Sequence, residues 1–144
     1  MTAQLASEFR SLCDEAGIAV THQRQVVYEA LRSMHGHPSP EEVYARVRVD
    51  VPAISLATVY KNIHLFIETG IFREVSLHHG TLRVETNQRP HHHLVCTECK
   101  TVSDIDADEL EICMQPGMLR NGFLAQRYTV DVLGLCPDCR KRQA

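Results

Sequence analysis

Up to Gly70 the apolar positions recur at helical spacing, in blocks set apart by capping and breaker residues. Leu5, Phe9, Leu12, Cys13 and Ala16 line one face, and Gly17 follows where a helix would stop. Thr21 is placed to cap a second helix with the apolar face Val26, Val27, Ala30, Leu31 and Met34, and the loop His35-Gly36-His37-Pro38 breaks it. Ser39-Pro40-Glu41-Glu42 joins a capping serine, a proline at the first helical position and a glutamate three residues after the cap. It predicts a third helix carrying Val43 and Val47. Ser55 caps a fourth, through Val59, Ile63, Phe66 and Ile67, until Gly70 ends it.

Beyond Gly70 the period changes. Ile71, Arg73, Val75 and Leu77 alternate with Phe72, Glu74 and Ser76, His78-His79-Gly80 offers a turn, and Thr81 to Glu85 continues extended. Helices followed by a hairpin predict a winged helix-turn-helix over residues 1–85, the fourth helix entering a DNA major groove and the hairpin lying along the backbone. Thr86-Asn87-Gln88-Arg89-Pro90 carries no apolar period and reads as a hinge, residues 86–90. Residues 91–144 follow, with strands near His91–Cys96 and Thr101–Ile105, a helix from about Ala107 disturbed by Pro116-Gly117, and a final strand from about Phe123 to Leu133. The fold class is therefore α+β: a winged-helix domain followed by a smaller α/β domain.

Composition narrows the picture. Hydrophobic residues at 44% and charged ones at 23% exclude disordered and collagen-like classes. No apolar run approaches the roughly 20 residues of a membrane helix. Met1 to Arg10 lacks a basic flank followed by an apolar stretch, so no signal peptide is expected and the cytoplasm is the default compartment. The net charge is −3, and residues 1–85 hold 8 Lys and Arg against 10 Asp and Glu, so DNA contact must rest on a few placed groups.

Six cysteines in a reducing compartment point to metal ligands or buried thiols, and nine histidines push further toward metal. Cys96-Thr97-Glu98-Cys99 and Cys136-Pro137-Asp138-Cys139 are two knuckles, each able to curl two thiolates toward one ion. Together they complete a closed tetrahedral Zn²⁺ site, the tie that a core this small needs. Dithiol redox pairs share this spacing but occur singly at a helix start, which favours zinc. Cys13 and Cys113 lie on expected apolar helix faces and read as core thiols.

His91 and His93, two apart in a strand, project to one face and can chelate an ion, while His92 points the other way. Glu85, Asp104 and His37 are donors that could join them in a mixed nitrogen and oxygen site suited to Mn²⁺, Fe²⁺ or Zn²⁺. Spacing alone leaves even the histidine pair between a chelate and a polar strand. On the expected recognition helix, Thr58 and Tyr60 are placed for base or thymine-methyl contact, and Arg24 and Lys61 for phosphates.

The order of features resembles the ferric uptake regulator family over nearly the whole chain. The resemblance is carried by Ala57-Thr58-Val59-Tyr60-Lys61-Asn62-Ile63, then the His91 to His93 strand, then the two Cys-x-x-Cys pairs. It implies a dimeric, metal-dependent repressor bound to a pseudopalindromic operator in double-stranded DNA, with residues 91–144 as dimerisation domain. It further implies structural zinc on Cys96, Cys99, Cys136 and Cys139, and regulatory Fe²⁺ or Mn²⁺ on His37, Glu85, His91, His93 and Asp104. An auxiliary site of some members would need ligands where this chain has Pro90 and Tyr128.

Asp104 resembles the peroxide-sensing branch, which carries Asp there, whereas Glu85 resembles the iron-uptake branch. The zinc-uptake branch shares His-His-His-Leu-Val-Cys but tends to use a regulatory cysteine, and none is available here outside the quartet near these residues. The expected order is peroxide sensor, iron regulator, zinc regulator. In the first, Fe²⁺ in the site reduces peroxide and a ligating histidine, His37 or His91, is oxidised, so that metal and DNA are released. A metal-dependent hydrolase would be an enzyme with an open water-activating position, but no pocket-building pattern accompanies these ligands. In a zinc-stapled interaction module the histidines would do nothing.

Overall fold

A computed structural model describes residues 2–75, 82–112, 117–118, 120–125 and 127–144. The chain divides into two compact units, Met1–Gln88 and Arg89–Ala144.

Among the described residues the first unit holds four helices, α1 (Ala3–Ala16), α2 (His22–Ser33), α3 (Pro40–Asp50) and α4 (Leu56–Glu68). Each begins where the chain supplies an oxygen for an orphan N–H: Thr2, Thr21, Ser39 and Ser55 are the N-caps, and Ser39 with Glu42 closes a full capping box. Gly17, at φ 68, ends α1 in a left-handed turn that a side chain would strain. Their apolar faces meet in one core of Phe9, Cys13, Val27, Tyr28, Leu31, Val43, Val59, Ile63, Phe66 and Phe72. Phe9 and Tyr28 stand 4.9 Å apart between ring centroids, and Phe66 meets Phe9, Tyr28 and Phe72. Each such side chain stabilises by about 1.5–3 kcal/mol when fully buried.

Behind α4, β1 (Arg73–Glu74) pairs antiparallel with β2 (Val84–Glu85), Arg73 opposite Glu85. This is the wing of a winged helix-turn-helix. The turn expected at His78-His79-Gly80 and the start of its return arm at Thr81 lie outside the described residues.

In the second unit, β3 (His91–Cys96) is central between β4 (Val102–Asp106), antiparallel, and β7 (Asp131–Gly134), parallel. At the start of β3 both faces are covered, so His91, His92 and His93 are all buried, whereas Leu94 beyond them is exposed. A separate ribbon joins β5 (Gly117–Met118) to β6 (Leu124–Ala125), and α5 (Pro137–Gln143) closes the described chain.

Two expectations are corrected here, and one element was not foreseen. The helix expected from Ala107 is a single 3-10 turn, Ala107–Glu109, after which Leu110 returns to extended backbone. Asp106 makes no capping bond and none of the turn's residues is buried, so nothing offsets the cost of nucleating a helix. Pro116 and Cys113 lie outside the described residues. The strand expected from Phe123 to Leu133 is two, because β6 pairs with β5 while β7 joins β3 in another sheet. Helix α5, not anticipated, has no apolar face to reveal it; Cys136 caps it, Pro137 opens it and only Cys139 is buried.

Candidate metal centres

The first knuckle sits where β3 turns into β4. The Cys96 N–H donates to the Thr101 carbonyl at 2.9 Å and the Lys100 N–H to the Cys96 carbonyl at 3.0 Å, with Lys100 at φ 64 making the bend. The second is the first turn of α5, which brings Cys136 and Cys139 to one side. The four sulfurs lie within 4.8 Å of one another. Cys99 and Cys136 are 3.7 Å apart between sulfurs, far beyond a disulfide bond of about 2.05 Å. That separation fits two corners of a tetrahedron with Zn–S bonds of about 2.3 Å. The donor set, all thiol and closed by backbone on both sides, fits structural Zn²⁺.

Local electrostatics already favour thiolates at part of this site. The N–H groups of Cys136 and Cys99 beside Cys96 pull its thiol down to about 6, and the Thr101 hydroxyl, 3.1 Å from Cys99, lowers that thiol too. Burial instead pushes Cys139 up to about 12. Arg142, whose Nη2 is 2.8 Å from the Cys139 sulfur, offsets part of this and is itself raised. Bound zinc would hold all four as thiolates.

The sheet brings a second donor set together. His91 and His93 share a face, their rings 4.9 Å apart and nearly perpendicular. Asp104, opposite His93 on β4, places Oδ1 3.7 Å from His91 Nε2 and 4.0 Å from His93 Nε2. Two imidazoles and a carboxylate converging at such separations fit a first-row divalent ion. Nδ1 of His91 is 2.6 Å from the Arg89 carbonyl, and His93 Nδ1 is 3.4 Å from Asp131 Oδ1. His92 on the opposite face accepts from the Val130 N–H at 3.2 Å and stacks on Tyr128, a structural part.

The first unit holds its own pair. His37 Nε2 lies 3.4 Å from Glu85 Oε2, both side chains about 5% exposed or less. Three bonds tie the loop bearing His37 to the wing arm: Val84 N–H to the Pro38 carbonyl at 3.0 Å, Arg83 Nη1 to the His37 carbonyl at 3.2 Å, and Thr86 Oγ1 to the Gly36 carbonyl at 2.7 Å. Arg83 also meets Glu42 Oε2 at 3.0 Å, so loop, wing and helix cap form one network. An acid buried against an imidazole is costly unless it is paired or holds a cation, which suits a ligand pair.

On α4, Lys61 and His64 are exposed and Thr58 and Tyr60 half-buried. The Thr58 hydroxyl is 2.9 Å from the Ser55 hydroxyl, while the Tyr60 hydroxyl donates to Glu41 Oε1 at 2.6 Å. That bond lowers the Glu41 carboxyl and raises the Tyr60 phenol. Arg24 donates to the Ala19 carbonyl at 2.6 Å.

Sequence reasoning missed Glu41, Arg83, Asp131 and Arg142. Asp131 meets His93 only through the parallel pairing of β7 with β3, a long-range contact that no local pattern carries. Glu41 lay within the capping sequence, and its other role could not be read there.

A model of the ferric uptake regulator family matches residues 15–132. The peroxide-responsive repressor PerR of Staphylococcus aureus (strain Mu50) is 30% identical over 128 residues, covering 89% of this chain and 86% of that protein. Among solved structures, the ferric uptake regulator from Pseudomonas aeruginosa with manganese superposes with a TM-score of 0.75 at 25% identity, covering 89% of this chain and 97% of that one. A zinc-bound manganese uptake regulator does so with a TM-score of 0.67 at 29% identity, covering 88% and 97%.

Proposed function

The chain belongs to the ferric uptake regulator family, and we propose that within it this protein is a metal-dependent repressor that senses peroxide. That it is a metal-responsive transcription regulator follows from membership and from the two donor sets. The finer reading rests chiefly on Asp104, the short carboxylate facing both His91 and His93. Similarity to a peroxide-responsive repressor at 30% identity is consistent with it.

In this reading His37 and Glu85 of the first unit and His91, His93 and Asp104 of the second serve one regulatory ion. Neither set alone completes a five-donor shell. Donors drawn from both units stabilise, by mass action, the arrangement that gathers them all, and that arrangement binds the operator. Fe²⁺ held by these residues would supply the one-electron chemistry that splits the O–O bond of hydrogen peroxide, which Mn²⁺ would not. One peroxide oxygen would then enter a ring C–H bond of His37 or His91 and the other leave as water, the imidazole being the group oxidised, and the altered ring would be a weaker donor to the ion.

The operator is double-stranded DNA with pseudopalindromic half-sites, read by a homodimer. Support for a dimer comes from exposed apolar side chains in the second unit: Phe123 at 66%, Leu124 at 61% and Leu133 at 57%, the last on an edge strand. In each copy Tyr60 and Thr58 meet bases, while Lys61 and Arg24 meet phosphates. No helix among the described residues is long and apolar enough to cross a membrane.

The test is mass spectrometry of anaerobic protein loaded with Fe²⁺ and then given hydrogen peroxide. One added oxygen is expected on the peptide containing His37 or His91, with loss of operator binding. Unmodified peptides with undiminished DNA binding would overturn peroxide sensing. The iron-uptake reading, favoured by Glu85, would then take its place.

A further inference from the structure

We infer that Asp131 is a positioning residue for the regulatory ion, its carboxylate behind His93 fixing the imidazole in the tautomer that offers Nε2 as ligand. The inference rests on the reading of His93 as a ligand and deepens it. In the parallel pairing of β3 with β7, Asp131 stands opposite His93, and the His93 N–H donates to the Val130 carbonyl at 3.0 Å. The backbone therefore sets where these two side chains meet. Asp131 Oδ1 is 3.4 Å from Nδ1, whereas Asp104 Oδ1 is 4.0 Å from Nε2. These nitrogens lie on opposite edges of the ring, so Asp104 is on the ligand side and Asp131 is behind it.

A neutral imidazole carries one N–H, and an ionised carboxylate can only accept. The proton is therefore held at Nδ1 and the lone pair is left at Nε2. His93 is 5% exposed, so water competes little for either nitrogen. His91 receives the same instruction from a neutral group, the Arg89 carbonyl 2.6 Å from its Nδ1. His92 receives the opposite one: its Nδ1 accepts from the Val130 N–H at 3.2 Å, which puts its proton at Nε2. Three consecutive histidines are thus set in alternating tautomers, and the two on the shared face present Nε2 together. The carboxylate behind His93 also makes it a stronger donor than a bare imidazole.

The experiment uses the full chain with its zinc in place and Mn²⁺ alone as probe. Long-range ¹⁵N–¹H spectra at neutral to mildly alkaline pH, before Mn²⁺ is added, should show His93 protonated at Nδ1, and Asp131→Ala should turn this into a mixture. Mn²⁺ affinity should fall about 10- to 100-fold in Asp131→Ala, with zinc content unchanged, and Asp131→Glu should recover part of it. If Asp131→Ala does not retain zinc, Asp131→Val, which suits a strand and offers neither an acceptor nor a donor, is read in the same way. Unchanged Mn²⁺ affinity with His93 still protonated at Nδ1 would overturn the inference. His93→Ala separates the two levels: if it leaves Mn²⁺ affinity untouched, the ligand set itself is wrong; if it abolishes binding while Asp131→Ala does not weaken it, only the positioning role fails.

Discussion

Cys99 is the exposed member of a quartet whose other sulfurs are wholly or partly covered, so it can be changed with little loss of packing. Its replacement therefore isolates the metal's share of stability. Cys99→Ser should purify without stoichiometric zinc and with the second unit unfolded, since zinc binding of this kind is worth about 10–16 kcal/mol and is folding free energy. Metal analysis and a thermal melt check this, and full zinc retention would contradict the assignment. Asp104 tests the regulatory chemistry at the same scale. Asp104→Glu should keep metal-dependent DNA binding while blunting release by peroxide, measured as operator retention after Fe²⁺ loading and oxidation. In the first unit, burial pushes the Tyr28 phenol up to about 12 from its ordinary 10.0. A raised folded value means that its stabilising contribution is complete below pH 10.0 and is lost as pH rises through about 12. Urea titrations across that window should show the first unit weakening, and Tyr28→Phe should remove that part of the pH dependence.

Helix α3 links the loop bearing His37 to the wing arm and to α4, the proposed reading helix. Its cap residue Ser39 accepts from the Glu42 N–H at 3.2 Å, and Glu42 both accepts from the Ser39 N–H at 2.7 Å and pairs with Arg83 of the wing arm. Glu41, next to it, holds the Tyr60 hydroxyl of α4. Ser39→Ala should cost about 1 kcal/mol of stability in a denaturant titration. The sequence announced these helices clearly because caps, prolines and apolar faces are local signals, each helix carrying its own instructions. The four thiols were legible for the same reason, as two close pairs. The second unit was harder to read. Its helix after Ala107 did not form, since an isolated apolar position or two cannot offset nucleation, and α5 formed without an apolar face. Both depend on what packs or ligates nearby, and so does the meeting of Asp131 with His93. The candidate ligands His91 and His93 could be seen in the strand period. His37 and Glu85, 3.4 Å apart yet far apart in sequence, stood as candidate donors on residue type alone, and only family resemblance joined them to the histidine pair as one ligand set.

For the whole molecule, the acidic balance of the chain, −3 overall, decides what kind of DNA binder it can be. A protein without a basic coat gains little from non-specific phosphate attraction, so in the proposed dimer affinity rests on two reading heads acting together and on the few cations placed at the contact. Lys61→Ala should accordingly weaken binding to operator and unrelated DNA alike and reduce the salt slope by about 1. In the proposed reading the regulatory ion adds positive charge and favours the DNA-binding form, so DNA affinity becomes a direct readout of the metal site. Operator affinity of the zinc-loaded dimer should therefore be measured by titration with and without Mn²⁺, in parallel with His93→Ala. Tight, divalent-dependent retention of a pseudopalindromic site that is lost in His93→Ala is the predicted result; equal affinity with and without Mn²⁺ would contradict the account.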